Sequence, residues 1–107
     1  MIAKLPKFGR IKPRLAKQPA HIARVAGMGC LVCGRPAVVH HVRERGHGLE
    51  ARDDRYVVPL CPHHHNMGGD SFHLLGSNAR FFEVHGIDLA KEADFEWTLS
   101  VNEGLAK

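Results

Sequence analysis

Two short motifs constrain this chain more than anything else in it. Cys30-Leu-Val-Cys33-Gly is a C-x2-C turn followed by glycine, and Cys61-Pro-His-His64 is a C-x2-H pair further along. Such a turn aims two thiolates at one ion, and the glycine lets backbone amides approach sulfur. Cys30, Cys33, Cys61 and His64 together make a Cys3His set, which zinc takes in a closed tetrahedral arrangement with no open position. A site of that kind is structural. The competing reading is a redox C-x-x-C with an unrelated buried Cys61, but no βαβ pattern surrounds the motif as a thioredoxin-like site requires.

With 107 residues the chain is expected to form one small domain with tails. A body of that size has a marginal core, and a structural zinc adds binding energy that becomes folding energy. Three cysteines cannot complete a disulfide set, and the first twenty residues lack the apolar h-region of a secretory signal. A reducing, cytoplasmic setting is therefore expected. No apolar stretch approaches the ~20 residues that cross a bilayer, so no membrane partner is expected.

Histidine is the other anomaly. There are nine, and all but His21 lie between His40 and His85. His40 and His41 end a β-branched run, Ala37-Val38-Val39, that reads as a strand. His65 adjoins His64, and His73 follows Gly68-Gly69-Asp70. The sharper reading is a second metal site drawn from His40, His65 and His73, with His41 left free; three protein ligands plus water make an open, catalytic kind of site. The bland reading is a set of surface or core histidines with satisfied hydrogen bonds. His21, His47 and His85, taken singly, read that way, and His63 reads as facing solvent or a phosphate.

Charge is unevenly spread. Lys4, Lys7, Arg10, Lys12, Arg14, Lys17 and Arg24 precede Gly27 with no acid among them, whereas the last third of the chain is acidic. A basic arm before a neutral body reads as an anion-binding tail, with nucleic acid the commonest large polyanion. The alternative is a solvated leader that keeps the chain soluble. Pro6, Pro13 and Pro19 argue against a continuous helix before residue 20, so an extended, flexible arm is expected over 1–19. Arg43, Arg45 and Arg52 in the polar loop could contact flanking phosphates; an ordinary solvated loop is the other reading.

The body is expected over 20–99, with a tail over 100–107. A short helix is expected over 21–26, ended by Gly27, and strands over 37–42 and 56–60, with Pro59 at an edge or strand end. A helix should start near Pro62 and be interrupted by the two glycines. Residues 72–85 read as one amphipathic helix with Phe72, Leu75, Ala79 and Phe82 on its face, and 88–97 as another, capped by Asp88, with Leu89, Ala93 and Trp97 on one face. The class is α+β.

The order knuckle, strand, loop, strand, helix resembles the HNH, or ββα-metal, endonuclease family across about residues 28–87. The residues that carry it are Cys30-x2-Cys33; Val39-His40-His41-Val42; the run Asp54 to His65; and Gly69 and His73. Phe81-Phe82 and His85-Gly86-Ile87-Asp88-Leu89 resemble phage-encoded members, similar to a recombination-enhancement, RecA-dependent nuclease. The resemblance implies a zinc-stabilised ββα finger in which His40, His65 and His73 hold a catalytic cation and His41 is the general base. Cys30, Cys33, Cys61 and His64 would hold the structural zinc. It also implies DNA as partner and, on resemblance alone, a RecA-like filament. The sequence departs from the family where an asparagine usually precedes the second strand: Asp53, Asp54 and Arg55 stand there, and either Asp54 or a backbone carbonyl could orient the base.

Phosphodiester hydrolysis fits an adjacent ligand-and-base pair, because a base locked onto metal has no lone pair for a proton. Histidine ligands favour zinc, nickel or manganese over magnesium. The function expected is a metal-dependent DNA endonuclease or nickase, probed against two alternatives. One is a non-catalytic, zinc-stabilised nucleic-acid-binding module; the other is a protein-interaction zinc domain.

Overall fold

A computed structural model describes residues 16–42 and 53–106. The elements are α1 (Pro19–Ala26), β1 (Val38–His41), β2 (Val57–Leu60), a π-helical turn (His63–Met67), α2 (Phe72–Leu75), α3 (Asn78–His85) and α4 (Leu89–Asn102). The class is α+β: four α-helices around one two-stranded sheet.

α1 begins at Pro19, two residues earlier than expected. Proline lacks an N–H that the first helical turn would leave unpaired anyway, and its φ is already helical. The residue assigned to the end of the arm therefore belongs to the body, and Gln18 before it is buried. Residues 1–15, with Lys4, Lys7, Arg10, Lys12 and Arg14, lie outside the described residues, as do Arg43, Arg45, Arg52 and His47.

β1 and β2 pair antiparallel, with His40 opposite Val58 and His41 opposite Val57. All four β2 residues are buried, because α1 and α4 both contact this strand. Pro59 sits in it at no cost to pairing, since its outward carbonyl accepts from Leu31 N–H at 3.1 Å and binds the cysteine turn to the sheet.

The stretch 72–85 is two helices rather than one. Gly76 takes the left-handed conformation (φ +86°) and closes α2, and Ser77 caps α3 by accepting from Arg80 N–H at 3.1 Å. The break resets the helical phase. Phe81 is buried in place of Ala79 and Phe82, which are exposed. Phe81, Leu60, Leu89, Val58, Cys61 and Ala93 form the centre of the core.

Asp88 caps α4 as expected, its carboxylate accepting from Lys91 N–H at 3.2 Å. The helix continues to Asn102, so the expected tail from Ser100 is replaced by a packed turn. Its inward face is Leu89, Ala93, Glu96 and Ser100, with Trp97 at the margin. Ser100 is held because its hydroxyl meets two α1 side chains in the interior.

Candidate metal centre and the adjoining histidines

The cysteine turn is shaped by two backbone bonds, Cys30 N–H to Arg35 O (2.8 Å) and Gly34 N–H to Cys30 O (2.9 Å). Gly29 enters it with φ +86°, and a β-carbon there would stand 2.9 Å from the Gly34 carbonyl. Only glycine fits both demands. Cys61 follows β2, and His64 lies on the π-turn. That turn is closed by Gly68 N–H on His63 O at 2.7 Å, a five-residue bond that widens the helix around His64 and His65.

Four donor atoms converge here. Cys33 Sγ stands 3.6 Å from Cys61 Sγ; His64 Nδ1 stands 3.7 Å from Cys30 Sγ and 3.3 Å from Cys61 Sγ, and all four lie within 4.8 Å of one another. Zinc bonds of about 2.3 Å to sulfur and 2.0–2.1 Å to nitrogen set tetrahedral edges of about 3.8 Å (S–S) and 3.6 Å (S–N). The set Cys30, Cys33, Cys61 and His64 therefore fits one zinc ion in size and donor chemistry, as the spacing indicated. Burial pushes the Cys30 thiol up, but the backbone amides of Cys61, Cys33 and Val32 outweigh it and bring the pKa below 9.0. The Val32 amide donates to Cys30 Sγ at 3.4 Å. These amides favour thiolate, the form metal binds.

Asp70 stands behind the site, a residue to which sequence reasoning assigned no role. One carboxylate oxygen lies 3.6 Å from His64 Nε2 and 3.8 Å from His85 Nε2, the other 3.4 Å from His63 Nε2. His85 Nε2–H donates to the Asp70 carbonyl at 2.8 Å. Metal-binding imidazoles commonly face a carboxylate with their far nitrogen, which fixes tautomer and orientation. The Gly68-Gly69 break before Asp70 was the available signal: it turns the chain back over the π-turn.

His40, His65 and His73 come together as a row. The His40 and His65 ring centroids are 5.2 Å apart, and those of His65 and His73 4.9 Å. Their donor atoms do not converge within 4.8 Å as the Cys3His atoms do. His40 is buried, with Phe72 at 4.4 Å; His65 is half-buried, and His73 is exposed. Burial, then the charge of His73, holds His65 below 6.5, so its lone pair is available at neutral pH.

His41 takes a different partner. Successive strand residues face opposite sides, and its Nε2 stands 2.9 Å from Asp54 Oδ1. Of the two groups left open for orienting this ring, the geometry selects Asp54. The second oxygen of Asp54 accepts from the Gln18 backbone N–H at 3.3 Å. Lys17 is exposed just before that contact. His63 is exposed, as expected, and His21 and His85 are engaged in hydrogen bonds.

No protein-family model matches the chain, and neither a curated protein nor a solved structure shows significant similarity to it. Among the described residues no helix is long and apolar enough to cross a membrane.

Proposed function

We propose that this protein is a metal-dependent DNA endonuclease or nickase of the HNH type, with His41 as general base. The observation that carries this reading is the 2.9 Å contact between His41 and Asp54. A carboxylate only accepts, so the proton on His41 sits on Nε2 and Nδ1 keeps its lone pair for a proton from water. Asp54 then stabilises the imidazolium that forms. His40, His65 and His73 would hold the catalytic cation, zinc, manganese, nickel or magnesium, which when bound neutralises charge on the scissile phosphate and the leaving 3′-oxygen. The zinc at Cys30, Cys33, Cys61 and His64 would be structural, anchoring the strand and π-turn that carry these rings.

The basic residues before Pro19, together with Arg43, Arg45 and Arg52, would bind phosphates without reading sequence. On the family resemblance alone, the chain is phage-derived and acts in recombination or DNA processing, with a RecA-like filament as a further partner. A reducing cytoplasm suits three cysteines that serve a metal.

The second reading, a non-catalytic nucleic-acid-binding module, is favoured by one fact: only the structural donor set converges tightly. Metal content separates the two, at two ions per chain for the nuclease and one for the module. Plasmid nicking with added divalent cations is the direct test. His41→Ala should lower it by about 10²–10⁴-fold with fold and DNA binding retained. Equal activity of both proteins removes His41 as base. Deleting residues 1–15, which leaves α1 intact, should weaken DNA binding and flatten its salt dependence; unchanged affinity refutes the arm's role.

A further inference from the structure

His21 is the one histidine remote from both metal-binding sets, and it is fully buried. An aliphatic residue would fill the same space in the second turn of α1 without the cost of a buried polar ring. Both ring nitrogens are engaged. Nδ1 lies 2.6 Å from Ser100 Oγ and Nε2 lies 3.0 Å from the Arg55 carbonyl oxygen. The ring meets Trp97 edge-on at 5.1 Å.

The direction of these bonds follows from what each atom can do. A carbonyl oxygen only accepts, so Nε2 carries the hydrogen and Nδ1 the lone pair. Ser100 therefore donates its single proton to Nδ1. Its oxygen in turn accepts from Arg24 Nε–H at 2.9 Å. Arg24 Nη2 donates to Glu96 Oε1 at 2.9 Å and to the Glu96 carbonyl at 2.7 Å. The chain runs one way, from the α4 carboxylate through Arg24, Ser100 and neutral His21 to the Arg55 carbonyl.

The Arg55 carbonyl belongs to the turn that carries Asp54. Asp53 grips the same turn, accepting from Arg55 Nε at 3.0 Å, Nη2 at 2.8 Å and its backbone N–H at 3.1 Å. Gln18 N–H meets Asp54 itself. The turn is thus held from within by Asp53 and from α1 by Gln18 and His21, and its product is an Asp54 carboxylate aimed at His41.

We propose that His21 is a positioning residue: through the Arg55 carbonyl it fixes the turn that holds Asp54 against His41. The proposal rests on the reading of His41 as the base. Two variants of the full-length, zinc-loaded protein test it. His21→Leu keeps the volume and loses the donor; His21→Gln keeps a donor in reach of Arg55. The leucine variant should keep its zinc and far-UV dichroism, lower the kcat of plasmid nicking by about 100-fold and leave KM unchanged. The low-field proton resonance of His41 Nε2–H, protected by Asp54, should be lost to exchange. His21→Gln should restore both.

Should the leucine variant fail to fold, Ser100→Ala removes the donor to Nδ1 while leaving the ring in place, and partial loss of both signals is expected. Wild-type rate and an intact resonance in the leucine variant, or in Ser100→Ala in its stead, overturn the proposal. If the wild type nicks with no cation, the nuclease reading falls and the resonance alone decides this one: loss in the leucine variant upholds the coupling, persistence overturns it.

Discussion

Oδ2 of Asp70 stands 3.6 Å from Nε2 of His64, at the opposite end of that ring from the three sulfurs. The carboxylate favours hydrogen on Nε2, which leaves the Nδ1 lone pair for zinc. Asp70→Asn removes that preference and should weaken zinc binding about 10–100-fold, measured by competition with a chromophoric chelator. Unchanged affinity would mean that His64 is oriented by the backbone alone.

The zinc set joins three parts of the chain: the cysteine turn after α1, the end of β2 and the π-turn. The remaining sheet has two strands of four residues each, too few to stand alone. Zinc is expected to contribute on the order of 10 kcal/mol of apparent binding energy to folding. Chelation, or Cys61→Ala, should therefore abolish the cooperative thermal transition. A chelated protein that still melted cooperatively would show the core to be self-sufficient.

Asp54 is expected to act through His41 and not through packing, since it is only half-buried. Asp54→Ala should lower plasmid nicking by about 100-fold while the melting temperature moves little. A drop in melting temperature with nicking intact would reverse that assignment.

A β-carbon on Gly68 would overlap the His63 imidazole, which lies against the glycine's backbone. Gly68→Ala forces ring or backbone to shift at the closing bond of the π-turn. It should cost about 1–3 kcal/mol and loosen zinc, because His64 rides on the same turn. Calorimetry of Gly68→Ala beside Gly69→Ala makes the comparison, as a β-carbon at Gly69 meets nothing within 4 Å. Equal effects at the two positions would contradict the expectation.

Burial, more than any neighbouring charge, holds the His21 pKa below its ordinary 6.5. The unfolded chain then binds more protons than the folded one between the two values. His21's contribution is complete above about pH 6.5 and is lost as the pH falls through the lowered folded value. Protonation would also put hydrogen on Nδ1, facing the Ser100 hydroxyl. Wild type should therefore lose melting temperature more steeply than His21→Gln between pH 7 and 5. Parallel curves would show that His21 stays neutral in both states or charges freely in both. Groups common to both proteins, the zinc set among them, cancel.

Much of this was legible along the chain. Ligand spacing, proline and glycine punctuation and Asp88 as a cap are local features, and each acts through its own few residues. Cys30, Cys33, Cys61 and His64 were readable because metal-binding turns need fixed spacings. The two strands were readable from β-branched runs. The break at Gly76-Ser77 was also local, but the apolar period running through it outweighed the glycine in the reading, which put Phe82 where Phe81 lies.

What one dimension could not supply was pairing between distant polar groups. Asp54 against His41, Asp70 behind His64 and Ser100 on His21 join residues 13, 6 and 79 positions apart. No spacing rule links them, because a carboxylate or hydroxyl on any nearby surface could serve. The sequence by itself determined the metal-binding turns and the kinds of element between them, since those follow from local sterics and ligand chemistry. Tertiary packing alone decided which acid meets which imidazole, and that α4 continues through Ser100, because a buried polar group takes whichever partner the folded core brings within reach.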